Sequence, residues 1–146
     1  MKKMNNKGFS LVELIVVIAI MAVLIGVLAP QFMKYVEKSR ESTDIQNLDT
    51  CISAVRAYYA DKDTVPASIT ISAAKGSPLA ITGEGADQTP LTDAGCASSI
   101  VKGEWSPNIG ATINMTSGAV TYAGTAKYYT ADPNKGFVAP TPAAGG

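Results

Sequence analysis

The stretch that decides the fold runs from Lys7 to Pro30 and reads KGFSLVELIVVIAIMAVLIGVLAP. A short leader with Lys2, Lys3 and Lys7 and no acid precedes it, ending at Gly8. From Phe9 to Met33 the residues are almost all apolar, and Glu13 is the one charged side chain among them. About 20 apolar residues suffice to cross a hydrocarbon core. A carboxylate inside such a segment is costly and marks function by default. Working outward, the segment predicts a long helix that starts at Phe9.

A cleaved secretory signal would have a shorter apolar core followed by a small-residue cleavage site. A plain signal anchor gives no reason for Glu13. A segment cut in front of the apolar run, so that the anchor stays on the mature protein, accounts for both. KGFSLVEL behind a Lys-rich leader resembles the signal of the type IV prepilins and related pseudopilins. The resemblance implies a peptidase cut between Gly8 and Phe9, N-methylation of Phe9, and an assembly role for Glu13 at the fifth mature position. It also matches Pro30 to a helix proline common in that family. It covers roughly residues 7–40.

After such a cut, Phe9 carries a cationic amine and Glu13 lies one helical turn away. The two can pair within one chain; the family picture pairs Glu13 with a neighbour's amine. Leaving either charge alone in low dielectric costs several kcal/mol, so the pair is expected to set subunit register. Pro30 has no N–H for the carbonyl of Gly26, itself a weak helix former. Gly26 and Pro30 therefore mark a soft point, read either as a helix loosened within a filament or as a simple kink.

The second half of the helix changes character. Charges appear at Lys34, Glu37, Lys38, Arg40, Glu41 and Asp44, and then Ile45, Leu48, Ile52, Val55 and Tyr59 recur at helical spacing. That is an amphipathic stripe asking for a cover. Phe9 to about Ala60 is expected as one helix, roughly 75 Å long at 1.5 Å per residue. The sequence DKDTVP, Asp61–Pro66, stops it.

From Thr64 onward, Thr, Ser, Ala, Gly and Pro dominate, which is strand-and-turn composition. ATINMTSGAVTYAG, Ala111–Gly124, predicts a hairpin turning at Thr116-Ser117-Gly118. Further strands are expected near Ala126–Thr130 and Ile100–Trp105, with Ile69–Cys96 a long loop holding short elements. Asn114-Met115-Thr116 fits a glycosylation sequon and is read as chance. The fold class is α+β: a long N-terminal helix packed on a small antiparallel β-sheet head. The expected organisation is a cleaved basic leader over 1–8, an apolar transmembrane or filament-core helix over 9–33, its amphipathic continuation over 34–60, and a β-rich head over 61–146. The Pro/Gly-rich end, Gly136–Gly146, is expected as a loose tail.

Composition excludes several function classes. Twelve basic residues balance twelve acidic ones and there is no histidine. The chain thus lacks the commonest general base and zinc ligand. It has no basic stripe, so nucleic acid is not an expected partner. No nucleotide loop, nucleophile elbow or C-x-x-C is present. Glu84, Asp87 and Asp93 are the nearest approach to an acid cluster and read as solvated loop charges. No metal, cofactor or catalysis is expected. Two cysteines, Cys51 and Cys96, are a candidate disulfide in an exported chain, or else two small buried hydrophobes. A bond between them would close a loop of roughly 45 residues, worth about 3–4 kcal/mol by loop-closure entropy.

The resemblance implies a structural subunit of a surface filament at the bacterial cell surface, fed from a pool anchored in the cytoplasmic membrane. Its implied partners are the prepilin peptidase/N-methyltransferase, the inner-membrane assembly platform with its ATPase, and further copies of the chain. A pseudopilin of a type II secretion or DNA-uptake machine shares the whole N-terminal argument and stands as the alternative. A membrane-anchored enzyme or binding module is a third reading. Aromatics along the helix, such as Phe32, Tyr35, Tyr58 and Tyr59, are read as packing anchors rather than an electron path.

Overall fold

A computed structural model describes residues 8–83 and 87–129. The leader lysines, Glu84, Thr130 and the Pro/Gly-rich tail lie outside the described residues. The expected α+β architecture is observed. Helix α1 runs Leu11–Tyr59 without a break, Pro30 included. Its start is fixed locally: the Ser10 N–H donates to Glu13 Oε2 at 2.8 Å, one half of a capping box.

The chain falls into two units, Met1–Tyr35 and Val36–Gly146. In the first, the apolar side chains stand open: Phe9 is 85% exposed, Leu28 59% and Phe32 66%. α1 is long and apolar enough to cross a membrane, with a mean hydropathy of 3.1 over its best 18-residue window.

In the second unit α1 buries one face, and the predicted stripe of Ile45, Leu48, Ile52 and Val55 is that face. Tyr59 packs half-buried at its end. The cover is a four-stranded antiparallel sheet of β1 (Ser68–Ala73), β2 (Ala80–Thr82), β3 (Trp105–Asn114) and β4 (Val120–Ala126), in the order β2-β1-β3-β4. Ile69, Ile71 and Ala73 of β1 and Ile109, Ala111 and Ile113 of β3 share one core with Leu48 and Val55. Each large side chain buried there contributes about 1.5–3 kcal/mol. Helix α2 (Thr89–Asp93) and a 3-10 turn (Cys96–Ser98) lie between β2 and β3.

The expected hairpin is β3–β4, paired through Thr112 with Thr121 and Ile113 with Val120. Met115 lies in its turn rather than in a strand, because Asn114 Oδ1 accepts the N–H groups of Thr116 and Ser117 and closes the loop there. Further along, four steps on β3 from Ser106 to Gly110 match two on β4 from Thr125 to Ala123. This bulge contains Pro107, which has no N–H to give a ladder.

Three strand expectations need correction. Ile69–Cys96 is not mainly loop: it holds β1, which pairs with both β2 and β3. Ser68–Ala73 alternates polar and apolar residues, and its Ile69, Ile71 and Ala73 all face the core. No strand forms over 100–104, where the regular pairing is a single bridge between Ile100 and Pro78. Nor does one form over 127–129, since β4 ends at Ala126. The amides of 102–104 and of 127–129 go to carboxylates on α1 instead of to a ladder.

Candidate processing segment and the carboxylate clasp

Gly8, Phe9 and Ser10 precede the first turn of α1 as non-helical, exposed backbone. The predicted cleavage bond therefore sits outside regular structure, where a peptidase can bind it in extended form. A Cβ added at Gly8 would meet nothing within 4 Å. The fold has no steric need for glycine there, so a demand for it must come from whatever reads the segment. We expect Gly8→Val to leave head stability within about 0.5 kcal/mol of wild type, as for a surface substitution, while precursor accumulates. Immunoblotting for precursor against product checks this, and normal processing of the variant would refute it.

Glu13 is exposed and accepts the Ser10 N–H. In the intact chain its carboxylate is thus a helix cap, and the Phe9 nitrogen is an uncharged amide. Cutting before Phe9 would turn that nitrogen into a cation one turn from the carboxylate. Gly26 and Pro30 sit within continuous helix, and a Cβ at Gly26 would also meet open space.

The second cluster was not foreseen from the sequence. Glu37, Glu41 and Asp44 are buried at 8%, 0% and 1% exposure. They occupy the same helical face as the apolar stripe, Glu37 and Glu41 two turns and one turn before Ile45, and Asp44 one turn before Leu48. Their main partners are backbone amides. Glu41 accepts the N–H of Lys127 at 2.7 Å, of Tyr128 at 3.1 Å and of Tyr129 at 2.6 Å. Asp44 accepts the N–H of Lys102 at 3.0 Å and of Gly103 at 2.6 Å, and the ring N–H of Trp105 at 3.0 Å. Glu37 accepts the Glu104 N–H at 2.6 Å and meets Arg40 at 3.4 Å. A carboxylate offers about four lone-pair positions, enough to serve a run of successive amides. Burial pushes the Glu41 carboxyl above its usual range, while the three amides it accepts pull the other way.

These acids clasp the segment before β3 and the segment after β4 to α1. Gly103 must come close to do so: a Cβ there would lie 2.8 Å from Asp44 Oδ2 and 2.9 Å from Glu41 Cγ. The signal in the sequence was spacing alone, since positions 37, 41 and 44 continue the stripe of 45, 48, 52 and 55.

Among the other expected residues, Cys51 and Cys96 come together in the core as free thiols. Asp87 accepts the Thr89 N–H and hydroxyl at 2.9 and 2.6 Å and the Tyr58 hydroxyl at 3.3 Å. Those Thr89 bonds hold its carboxyl below the usual range. Asp93 is exposed. Among the described residues no three His, Cys, Asp or Glu side chains gather as a metal site. Tyr58 and Tyr59 meet edge to face at 5.0 Å.

A family model described as the prokaryotic N-terminal methylation motif matches residues 3–29, which encloses Gly8, Phe9 and Glu13. The chain is thus of the class that carries this processing signal ahead of an apolar helix. Fimbrial protein EcpC of Eikenella corrodens is 34% identical over 95 residues, 65% of this chain and 60% of that protein. Type IV major pilin protein PilA of Myxococcus xanthus is 34% identical over 59 residues, 40% of this chain and 27% of that protein. Prepilin peptidase-dependent protein A of Clostridium perfringens is 38% identical over 69 residues, 47% of this chain and 49% of that protein. The matched region spans less than two thirds of each relative's length. No solved structure matches the chain significantly. By its motif and these relatives, the chain is similar to type IV pilins over its N-terminal part, and its α+β fold agrees with that likeness.

Proposed function

We propose that this chain is the structural subunit of a type IV pilus-like surface filament. One observation carries the reading: an exposed, continuous apolar helix surface from Leu11 to Met33 that bears a single carboxylate one turn from the expected cleavage bond. Such a surface is stable in lipid, or against the same surface of other subunits.

In this reading, residues 1–8 are the leader. Lys2, Lys3 and Lys7 hold them on the cytoplasmic side, and the prepilin peptidase cuts at Gly8–Phe9 and methylates the new amine on Phe9. Residues 9–33 wait in the membrane and then become the filament core. The assembly platform and its ATPase lift each subunit out of the bilayer. The apolar surface exchanges lipid for neighbouring helices, and Glu13 pairs with the Phe9 amine of a neighbour to fix register. A heterologous contact that does not close on itself yields an open helical fibre. Residues 34–60 continue the helix into the head of 61–146, which forms the filament surface. Loosening of the helix between Gly26 and Pro30 within the filament would make it extensible. The role is structural rather than enzymatic, as the names of the pilin relatives support.

Mass spectrometry of material sheared from the cell surface tests this. An abundant N-terminal peptide beginning at N-methylated Phe9 is the expected result. A Phe9 start confined to the membrane fraction would replace the reading with a pseudopilin of a secretion or uptake machine. An intact Met1 start would overturn both.

A further inference from the structure

Cys51 lies on the buried face of α1, and Cys96 opens the 3-10 turn that follows α2. They come from separate elements yet belong to one core cluster, at 0% and 3% exposure. The Cys96 thiol is a near enough neighbour to help hold the Cys51 thiol un-ionised. A core position filled for packing alone is served equally well by Ala or Val, and an S–H is only a weak donor. Two neighbouring buried sulfurs from different elements are what a cross-link joins. Among the described residues the pair lacks the further Cys, His, Asp or Glu ligands that a tetrahedral metal takes.

We infer that Cys51 and Cys96 are an oxidation site, joined in the exported head as one disulfide that ties α1 to the segment between α2 and β3. The inference rests on the export part of the proposed function. Each thiol gives up one proton, and the two sulfurs form one S–S bond. The two electrons reduce the disulfide of an extracytoplasmic thiol oxidase to two thiols, which take up the two protons. The exchange passes through a mixed disulfide, formed by attack of one cysteine thiolate on the oxidase. Both sulfurs are buried once the head has closed, so the step belongs to folding, while the turn at Cys96 still stands open. Burial also pushes the Cys51 thiol up and keeps it un-ionised. A pair left reduced is therefore slow to react later, and a bond once formed is shielded from reductants.

The full chain from sheared surface material and from membranes should be quenched in acid, denatured, alkylated and digested. The expected product is a peptide pair linked through Cys51 and Cys96, without alkylated thiol at either. Alkylated thiols at both positions in chains that begin at methylated Phe9 would overturn the inference and leave the filament reading standing. Chains that begin at Met1 yet carry the linked pair would keep the disulfide and remove the filament reading. A second measurement is thermal unfolding of the purified chain, either untreated or first unfolded and refolded in reductant so that a buried bond is opened. Reductant should lower the wild-type midpoint by on the order of 10 °C and leave the double variant Cys51→Ala/Cys96→Ala unmoved. Equal wild-type midpoints under both conditions would also overturn it.

Discussion

Replacing Asp44 with alanine is expected to cost the head about 3–5 kcal/mol, a large share of the roughly 5–15 kcal/mol that holds a domain of this kind together. The substitution removes the acceptor used by the Gly103 N–H at 2.6 Å and the Trp105 ring N–H at 3.0 Å, both buried bonds, and by the part-buried Lys102 N–H at 3.0 Å. A buried donor that loses its acceptor costs about 1–3 kcal/mol in desolvation alone. The Lys102 amide counts for less, because water can reach it. Asp44→Asn should fall between wild type and alanine. One oxygen can stay where Oδ2 serves Gly103 and Trp105, but the amide NH2 then faces the Lys102 N–H, donor against donor. Urea unfolding of the detergent-solubilised chain, followed by the fluorescence of its single tryptophan, gives the ranking. A change below about 1 kcal/mol in the alanine variant would mean that water replaces the carboxylate and that the clasp adds little.

Loss of the Glu13 charge is expected to reduce surface filament on the order of 100-fold. The basis is roughly 3 kcal/mol for an amine left without its counter-charge among apolar helices, at about 1.4 kcal/mol per tenfold. The structure gives Glu13 a second task, as acceptor of the Ser10 N–H. Two variants separate the tasks. Glu13→Ala removes both the charge and the cap, whereas Glu13→Gln keeps an oxygen for Ser10 and removes only the charge. If pairing sets assembly, both variants lose filament alike while precursor is still cut and the head unfolds at the wild-type midpoint. Quantitative immunoblotting of sheared filament against total subunit measures it. Wild-type filament from Glu13→Gln would sink the pairing idea and reduce Glu13 to a cap.

The N-terminal half was legible because its signal is one-dimensional. Twenty-five residues from Phe9 to Met33 with one charge need no tertiary knowledge to read. The stripe from Ile45 to Val55 was legible for the same reason, as was the β3–β4 hairpin with its short turn. β1 was missed although Ser68–Ala73 alternates cleanly. Its polar positions are Ser and Thr, and it lies in a region where Ser and Thr are common everywhere. Strand preference is mostly a matter of context, and the context of β1 is supplied by β3, some forty residues on. The clasp was missed because charged residues are read as solvent-facing. Nothing near Glu41 in sequence announces Lys127, Tyr128 and Tyr129 as its partners. The two false strands share that origin: residues 100–104 and 127–129 have strand-like composition, but acids from a distant helix claim the amides of 102–104 and of 127–129.

The clasp holds the main chain, apart from the one contact to the indole ring. Lys102 and Lys127 are gripped through their peptide nitrogens while their side chains point outward. The grip on their amides is therefore separate from what those positions display, although Lys127 Nζ also pairs with Glu104 at 2.6 Å. A lysine, a threonine or a glutamate offers Asp44 or Glu41 the same amide, and proline is the one replacement that cannot. The exposed positions of these segments can thus change their chemistry residue by residue without renegotiating how the main chain is fastened. The positions that cannot drift are out of sight: Glu37, Glu41 and Asp44 on the helix, and Gly103, where no side chain fits.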